Sequence, residues 1–172
     1  MFLFNFFNKK EIIKKNYKIA LIGQCETGKS QFIQKYLFDK NNKIYTPTIG
    51  SDIYSKTYFL NNYKTIYDLD FFDIGGRERY KDLLKLYIKN STFILIFYDV
   101  NKEDTYNYAL YLYDNYINKE VKVIFVGNYN NDNTKLNFFK NNIFYVYINS
   151  EYNNNFNTLI DTILLELLIL NK

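Results

Sequence analysis

A chain of 172 residues and 20.8 kDa, 48% hydrophobic, suffices for one domain with a full core, and one Pro, six Gly and no periodic self-similarity exclude collagen-like, Pro-rich and solenoid architectures. The net charge of +4 is dispersed, with Lys beside Asp or Glu in most segments, so no basic stripe forms and no nucleic-acid partner is expected. One cysteine, Cys25, and no histidine exclude an internal disulfide and a Cys-based metal site, and leave any catalysis to carboxylates, backbone amides, Lys, Arg and a bound ion.

The chain opens MFLFNFFNKKEIIKK, with Phe2, Leu3, Phe4, Phe6 and Phe7 ahead of Lys9, Lys10, Lys14 and Lys15. A secretory signal has the reverse charge order, a longer apolar stretch and a small-residue cleavage site. With the single cysteine, this predicts a cytoplasmic protein. No run approaches the roughly 18–20 apolar residues that span a bilayer. Residues 1–16 read as an apolar and basic arm, either packed on the domain or making peripheral contact with anionic lipid through residues 2–15. Residues 17–172 read as one domain.

From Tyr17 the pattern alternates. KIALIG is a short apolar strand, and KSQFIQKYLF is a helix with apolar spacing at Phe32, Ile33, Tyr36 and Leu37. A polar loop through Asn41, Asn42 and Pro47 leads to SDIYSKTYFL and KTIYDLDFFD, two strands around the turn Asn61-Asn62-Tyr63. A polar helical segment follows Gly75-Gly76. Then come the strand TFILIFYDV, a helix from about Asp104 to Asn118, the strand VKVIFVG, an irregular stretch, the strand IFYVYI and the helix FNTLIDTILLELLIL. Strands separated by helical crossovers predict an α/β three-layer sandwich with a mostly parallel six-stranded sheet, and the one hairpin adds an antiparallel edge strand. Ligands bind such sheets at the carboxyl ends of the strands, where Gly23, Asp73, Asp99, Gly127 and Ile148 fall.

Three motifs carry chemistry. GQCETGKS matches the phosphate-loop pattern G-x-x-x-x-G-K-[ST] between a strand and a helix, so Gly23, Gln24, Cys25, Glu26, Thr27, Gly28, Lys29 and Ser30 form the candidate phosphate site. Backbone N–H groups and the helix N-terminus attract the anion, Lys29 supplies a point charge, and Ser30 offers a hydroxyl to Mg²⁺. FFDIGGRERY ends a strand at Asp73, a carboxylate for the metal shell, and places the Gly76 N–H where it can approach a terminal phosphate; a strand-end cap and a plain turn are the alternative. YTPTIG puts Thr48 in a loop long enough to complete the Mg²⁺ shell.

In order and spacing these motifs resemble the Ras superfamily of small GTPases, over about Tyr17 to the C-terminus. TPTIGSD, the hairpin and DIGGRERY followed by YIKNSTFILIFYDV are most similar to the Rab branch, while DIGG and the apolar arm are also similar to Arf proteins. The resemblance implies a P-loop NTPase fold, GTP or GDP with Mg²⁺, and slow GTP hydrolysis. It places Ser30, Thr48 and Asp73 at the metal, and Lys29, Thr48 and Gly76 at the outer phosphates. It also implies two loops, about Asn41 to Ser51 and Ile74 to Asp82, that order on binding, a monomer with effector, exchange-factor and GTPase-activating partners, and a role in vesicle traffic.

Several residues depart from the pattern. Arg77 stands where relatives carry the glutamine that orients the attacking water, and an arginine donates only. The base-reading Asn-Lys-x-Asp becomes GNYNND, with Asn128 retained, Tyr129 at the Lys position and Asn131 at the aspartate. An amide at Asn131 suits a keto oxygen better than the guanine amine, unless a loop shift lets Asp132 restore the contact. Ser150, in INSEYNNNF, aligns with the loop whose backbone N–H meets the base carbonyl. Asn131 to Asn149 is shorter than in relatives. The end LLILNK has no prenylation cysteine and Phe2 excludes myristoylation. These changes keep open a scaffold that retains the fold without switching; a small-molecule kinase would need an acceptor pocket and an Arg-rich lid that the sequence lacks.

Overall fold

The computed structural model describes residues 12–39, 46–60, 65–118, 120–129, 144–149 and 155–170. The described elements are β1 (Ile13–Gly23), α1 (Lys29–Phe38), β2 (Ser51–Leu60), β3 (Thr65–Ile74), a 3₁₀ turn (Glu78–Tyr80), α2 (Lys81–Asn90), β4 (Phe93–Asp99), α3 (Glu103–Tyr116), β5 (Lys122–Asn128), β6 (Phe144–Ile148) and α4 (Phe156–Ile169). They build one sheet in the order β2-β3-β1-β4-β5-β6. Every adjacent pair is parallel except β2 with β3, which pair antiparallel from Ser51 opposite Ile74 to Leu60 opposite Thr65. The three-layer α/β sandwich with one antiparallel edge is therefore as expected.

The period of two along each strand divides the core. Ile19 and Leu21 of β1, Phe93, Leu95 and Phe97 of β4, and Ile124 and Val126 of β5 pack with Phe32 and Ile33 of α1 and Leu159, Ile163 and Leu167 of α4. Their neighbours Ala20, Ile22, Ile94, Ile96 and Phe125 pack on the other face with Leu84 and Ile88 of α2 and Ala109 and Leu112 of α3. Central β4 is buried along its whole length, as its continuous apolar sequence requires, whereas edge strand β2 alternates between exposed and partly buried residues.

β1 begins at Ile13, four residues before Tyr17, so the sheet takes in residues 13–16, which the sequence pattern assigns to the arm. Pairing with β3 explains this: Ile13 lies opposite Thr65, the Lys14 ammonium meets the Asp68 carboxylate at 2.8 Å, and the Tyr17 ring packs edge-on against Tyr67 at 5.1 Å. Residues 1–11 of the arm lie outside the described residues. Among those described, no helix is long and apolar enough to cross a membrane.

Candidate functional site

β1 ends in the middle of the sheet, and the chain must turn there to place α1 on one face. Gly23, at φ 136, lets it do so; a Cβ there would strike the Phe97 carbonyl. Residues 24–28 then wrap the first turn of α1, whose N-cap Gly28 is left-handed and makes no side-chain capping bond. The first N–H groups of α1 are thus left for an outside acceptor.

Lys29 is buried beneath this loop. Its ammonium donates to the Gly23 carbonyl at 3.0 Å and the Gln24 carbonyl at 2.7 Å. Burial lowers its pKa to about 8, against the opposing attraction of Asp73. The Thr27 hydroxyl donates to the Gln24 carbonyl at 2.9 Å, and the Asn128 amide, from the end of β5, donates to the Thr27 carbonyl at 3.3 Å. Asn128 therefore braces the loop across 101 residues of sequence.

The three residues expected at a metal converge. The Ser30 and Thr48 hydroxyls stand 2.9 Å apart, and Thr48 also donates to Asp73 Oδ2 at 3.3 Å. Burial raises the Asp73 carboxyl pKa, outweighing the hydrogen bonds and the Lys29 charge that favour the anion. Asp73 Oδ1 is buried with no hydrogen-bond partner, a costly state in the absence of a cation. Two hydroxyls and an orphaned carboxylate oxygen form an all-oxygen donor set of the kind that suits magnesium. No cluster of three or more His, Cys, Asp or Glu residues able to hold a metal occurs among the described residues, so any site here would need hydroxyl, water or phosphate oxygens to complete it.

Gly76 closes the site from the far side. A Cβ on it would stand 2.6 Å from the Cys25 nitrogen and 2.7 Å from the Gly23 carbonyl oxygen, so only glycine fits this approach to the loop backbone. The Gly75 N–H donates to the Gly50 carbonyl at 2.9 Å, tying this segment to the loop that carries Thr48. The cavity here is about 350 Å³, lined by residues 25–31, Pro47, Thr48 and residues 74–77. Arg77 lies exposed at its rim. Gln31, Pro47, Ile74 and Gly75 join the lining without being candidate site residues; Pro47, Ile74 and Gly75 fall in the two loops expected to order on binding, and Gln31 directly follows the motif.

At the other end, Asn128 is buried, and the Tyr129 N–H donates to the Ile148 carbonyl at 3.0 Å. The Tyr129 ring packs against the cluster on the α2–α3 face. Asn131, Asp132 and Ser150, the other base-reading candidates, lie outside the described residues, as does most of the shortened segment.

The family profile described as "Ras of Complex, Roc, domain of DAPkinase" matches residues 18–131. A protein of Acanthamoeba polyphaga mimivirus named "Probable Rab-related GTPase" is 33% identical over 107 residues, 62% of this chain and 49% of that protein. The chain spans about half the length of this curated relative.

Proposed function

We propose a function from one premise: the chain belongs to the Ras superfamily of small GTPases and is Rab-like. It is a guanine-nucleotide switch that binds GTP or GDP with Mg²⁺ and hydrolyses GTP slowly. The observation that carries this reading is the meeting of Ser30, Thr48 and the orphaned Asp73 oxygen beside an open phosphate loop. Ser30 and Thr48 would hold Mg²⁺ directly and Asp73 through water; the ion would neutralise charge on the outer phosphates. The loop N–H groups and Lys29 hold the phosphates, and the Gly76 N–H meets the terminal one. Thr48 and Gly76 come from separate loops, so a third phosphate draws both loops onto one ligand.

Arg77 cannot accept a hydrogen bond from the attacking water, which supports slow intrinsic turnover and acceleration by a GTPase-activating partner. Effectors and an exchange factor would engage the same loops of a monomer, and residues 2–15 would supply any peripheral membrane contact. The assignment to vesicle traffic rests on family analogy alone.

The test is the nucleotide released on denaturing gently purified protein, identified by ion-exchange chromatography, then rebinding of guanine, xanthine and adenine nucleotides with Mg²⁺. Near-stoichiometric guanine nucleotide supports the switch, and Lys29→Ala should abolish its rebinding in calorimetry. Preference for xanthine nucleotides would trace to Asn131. Absence of nucleotide and of rebinding would favour a scaffold that keeps the fold only, a reading to which Arg77 at the catalytic position already lends weight.

A further inference from the structure

Three described non-glycine residues have left-handed backbone: Glu26 at φ 62, Asp39 at φ 51 and Asn155 at φ 64. Asp39 and Asn155 cap helix ends, and their short polar side chains tolerate this conformation. Glu26 has neither excuse. It sits in the phosphate loop, its side chain is exposed, and it is the one acidic residue lining the 350 Å³ cavity, beside Lys29 and Ser30. Among the described residues it forms no ion pair. A strained residue type with an uncompensated charge, placed at an anion site, points to a functional constraint.

We propose that Glu26 is an affinity-limiting residue for the nucleoside polyphosphate: its backbone completes the loop's array of N–H donors while its carboxylate repels the bound phosphates and hastens their release. The inference rests on the phosphate-site reading above. Left-handed backbone next to right-handed backbone makes successive N–H groups converge on an anion, so binding needs this backbone geometry at position 26. Glycine would supply it without charge or strain. Glutamate supplies it with a negative charge at the rim, a few ångströms from where phosphates would sit, which slows capture and speeds escape. Such a switch would have a raised basal exchange rate, on which an exchange factor would act further.

The experiment measures release of fluorescently labelled GDP with Mg²⁺ from the full chain and from Glu26→Gln and Glu26→Gly, at low and high salt. Glu26→Gln removes the charge and keeps the strained geometry; it should slow release by about tenfold at low salt. The difference should shrink at high salt, because the carboxylate is exposed and screened. Unchanged release from Glu26→Gln at low salt, with the parent chain binding GDP, overturns the inference and leaves the proposed function intact. If the parent chain retains no nucleotide but Glu26→Gln binds it, the inference stands in stronger form; binding by Glu26→Gly alone assigns the effect to backbone strain and overturns it. Failure of all three to bind overturns both.

Discussion

Lys29 is only 6% exposed, yet the proposed function rests phosphate binding on its charge. A phosphate beside it would raise its pKa from about 8. Above pH 8, binding must therefore take up a proton, and affinity for Mg²⁺-nucleotide should fall by up to about tenfold per pH unit. For folding of the ligand-free chain the sign is opposite: the unfolded chain keeps this proton up to its ordinary value of 10.5, so stability rises between about pH 8 and 10.5. Calorimetry from pH 7 to 9, in buffers of different ionisation enthalpy, reads both the slope and the proton; a flat profile would remove Lys29 from the contact. Arg77 makes the complementary test. Arg77→Gln supplies the missing acceptor and should raise single-turnover hydrolysis by about tenfold or more. No rise would mean that the water is positioned by another group or awaits a partner. Both residues were legible in the sequence because a motif fixes their neighbours. The Asn128 bond to the Thr27 carbonyl was not, because nothing local records a contact across 101 positions.

At the level of elements, β1 and the segment after β3 show two limits of pattern reading. The start of β1 was hidden because Lys14, Lys15 and Lys18 give Ile13 to Lys18 the look of a charged tail. Only its partner β3 reveals the strand, through the Lys14–Asp68 pair and the Tyr17–Tyr67 contact. Hydrogen bonds from Lys14 and Thr57 hold the Asp68 carboxyl below its usual range. That contribution is present above the ordinary carboxylate value and fades as pH falls through the lowered one. For the segment after β3, the sequence pattern predicts an N–H at Gly76 near a terminal phosphate, with a plain turn as the alternative, but the closeness of its approach to the loop backbone is a tertiary fact. Gly76→Ala should displace it, because the new Cβ would meet the Cys25 nitrogen and the Gln24 carbonyl carbon, both backbone atoms, at 2.6 Å. Hydrolysis should fall by roughly a hundredfold, the usual cost of losing one donor to a developing charge. GDP affinity should change far less, as GDP has no third phosphate. Equal losses of both would show that Gly76 supports the loop as a whole.

Across the whole molecule, the two clusters on the faces of the sheet hold the site's scaffold. α4 lies at the C-terminus, far in sequence from the phosphate loop, yet Phe156 packs edge-on against Phe32 of α1 at a centroid distance of 5.0 Å. Ile163 of α4 is fully buried in the same cluster. Ile163→Ala should cost about 2–5 kcal/mol in urea unfolding by opening a cavity there. With the protein still folded, nucleotide affinity should persist, because no residue of α4 lines the cavity. A loss below 1 kcal/mol would mean that the helix collapses onto the gap. By itself the sequence determined the order of strands and helices, the antiparallel pair and the presence of a phosphate-loop motif, because periodicity, glycines and a contiguous motif are local properties of the chain. Only the tertiary structure decided that Ser30, Thr48 and Asp73, separated by 18 and 25 positions, share one oxygen cluster, and that Asp73 keeps a buried oxygen without a partner. Such convergence depends on which strands pair and how closely two loops approach, and these are set by packing across the sheet.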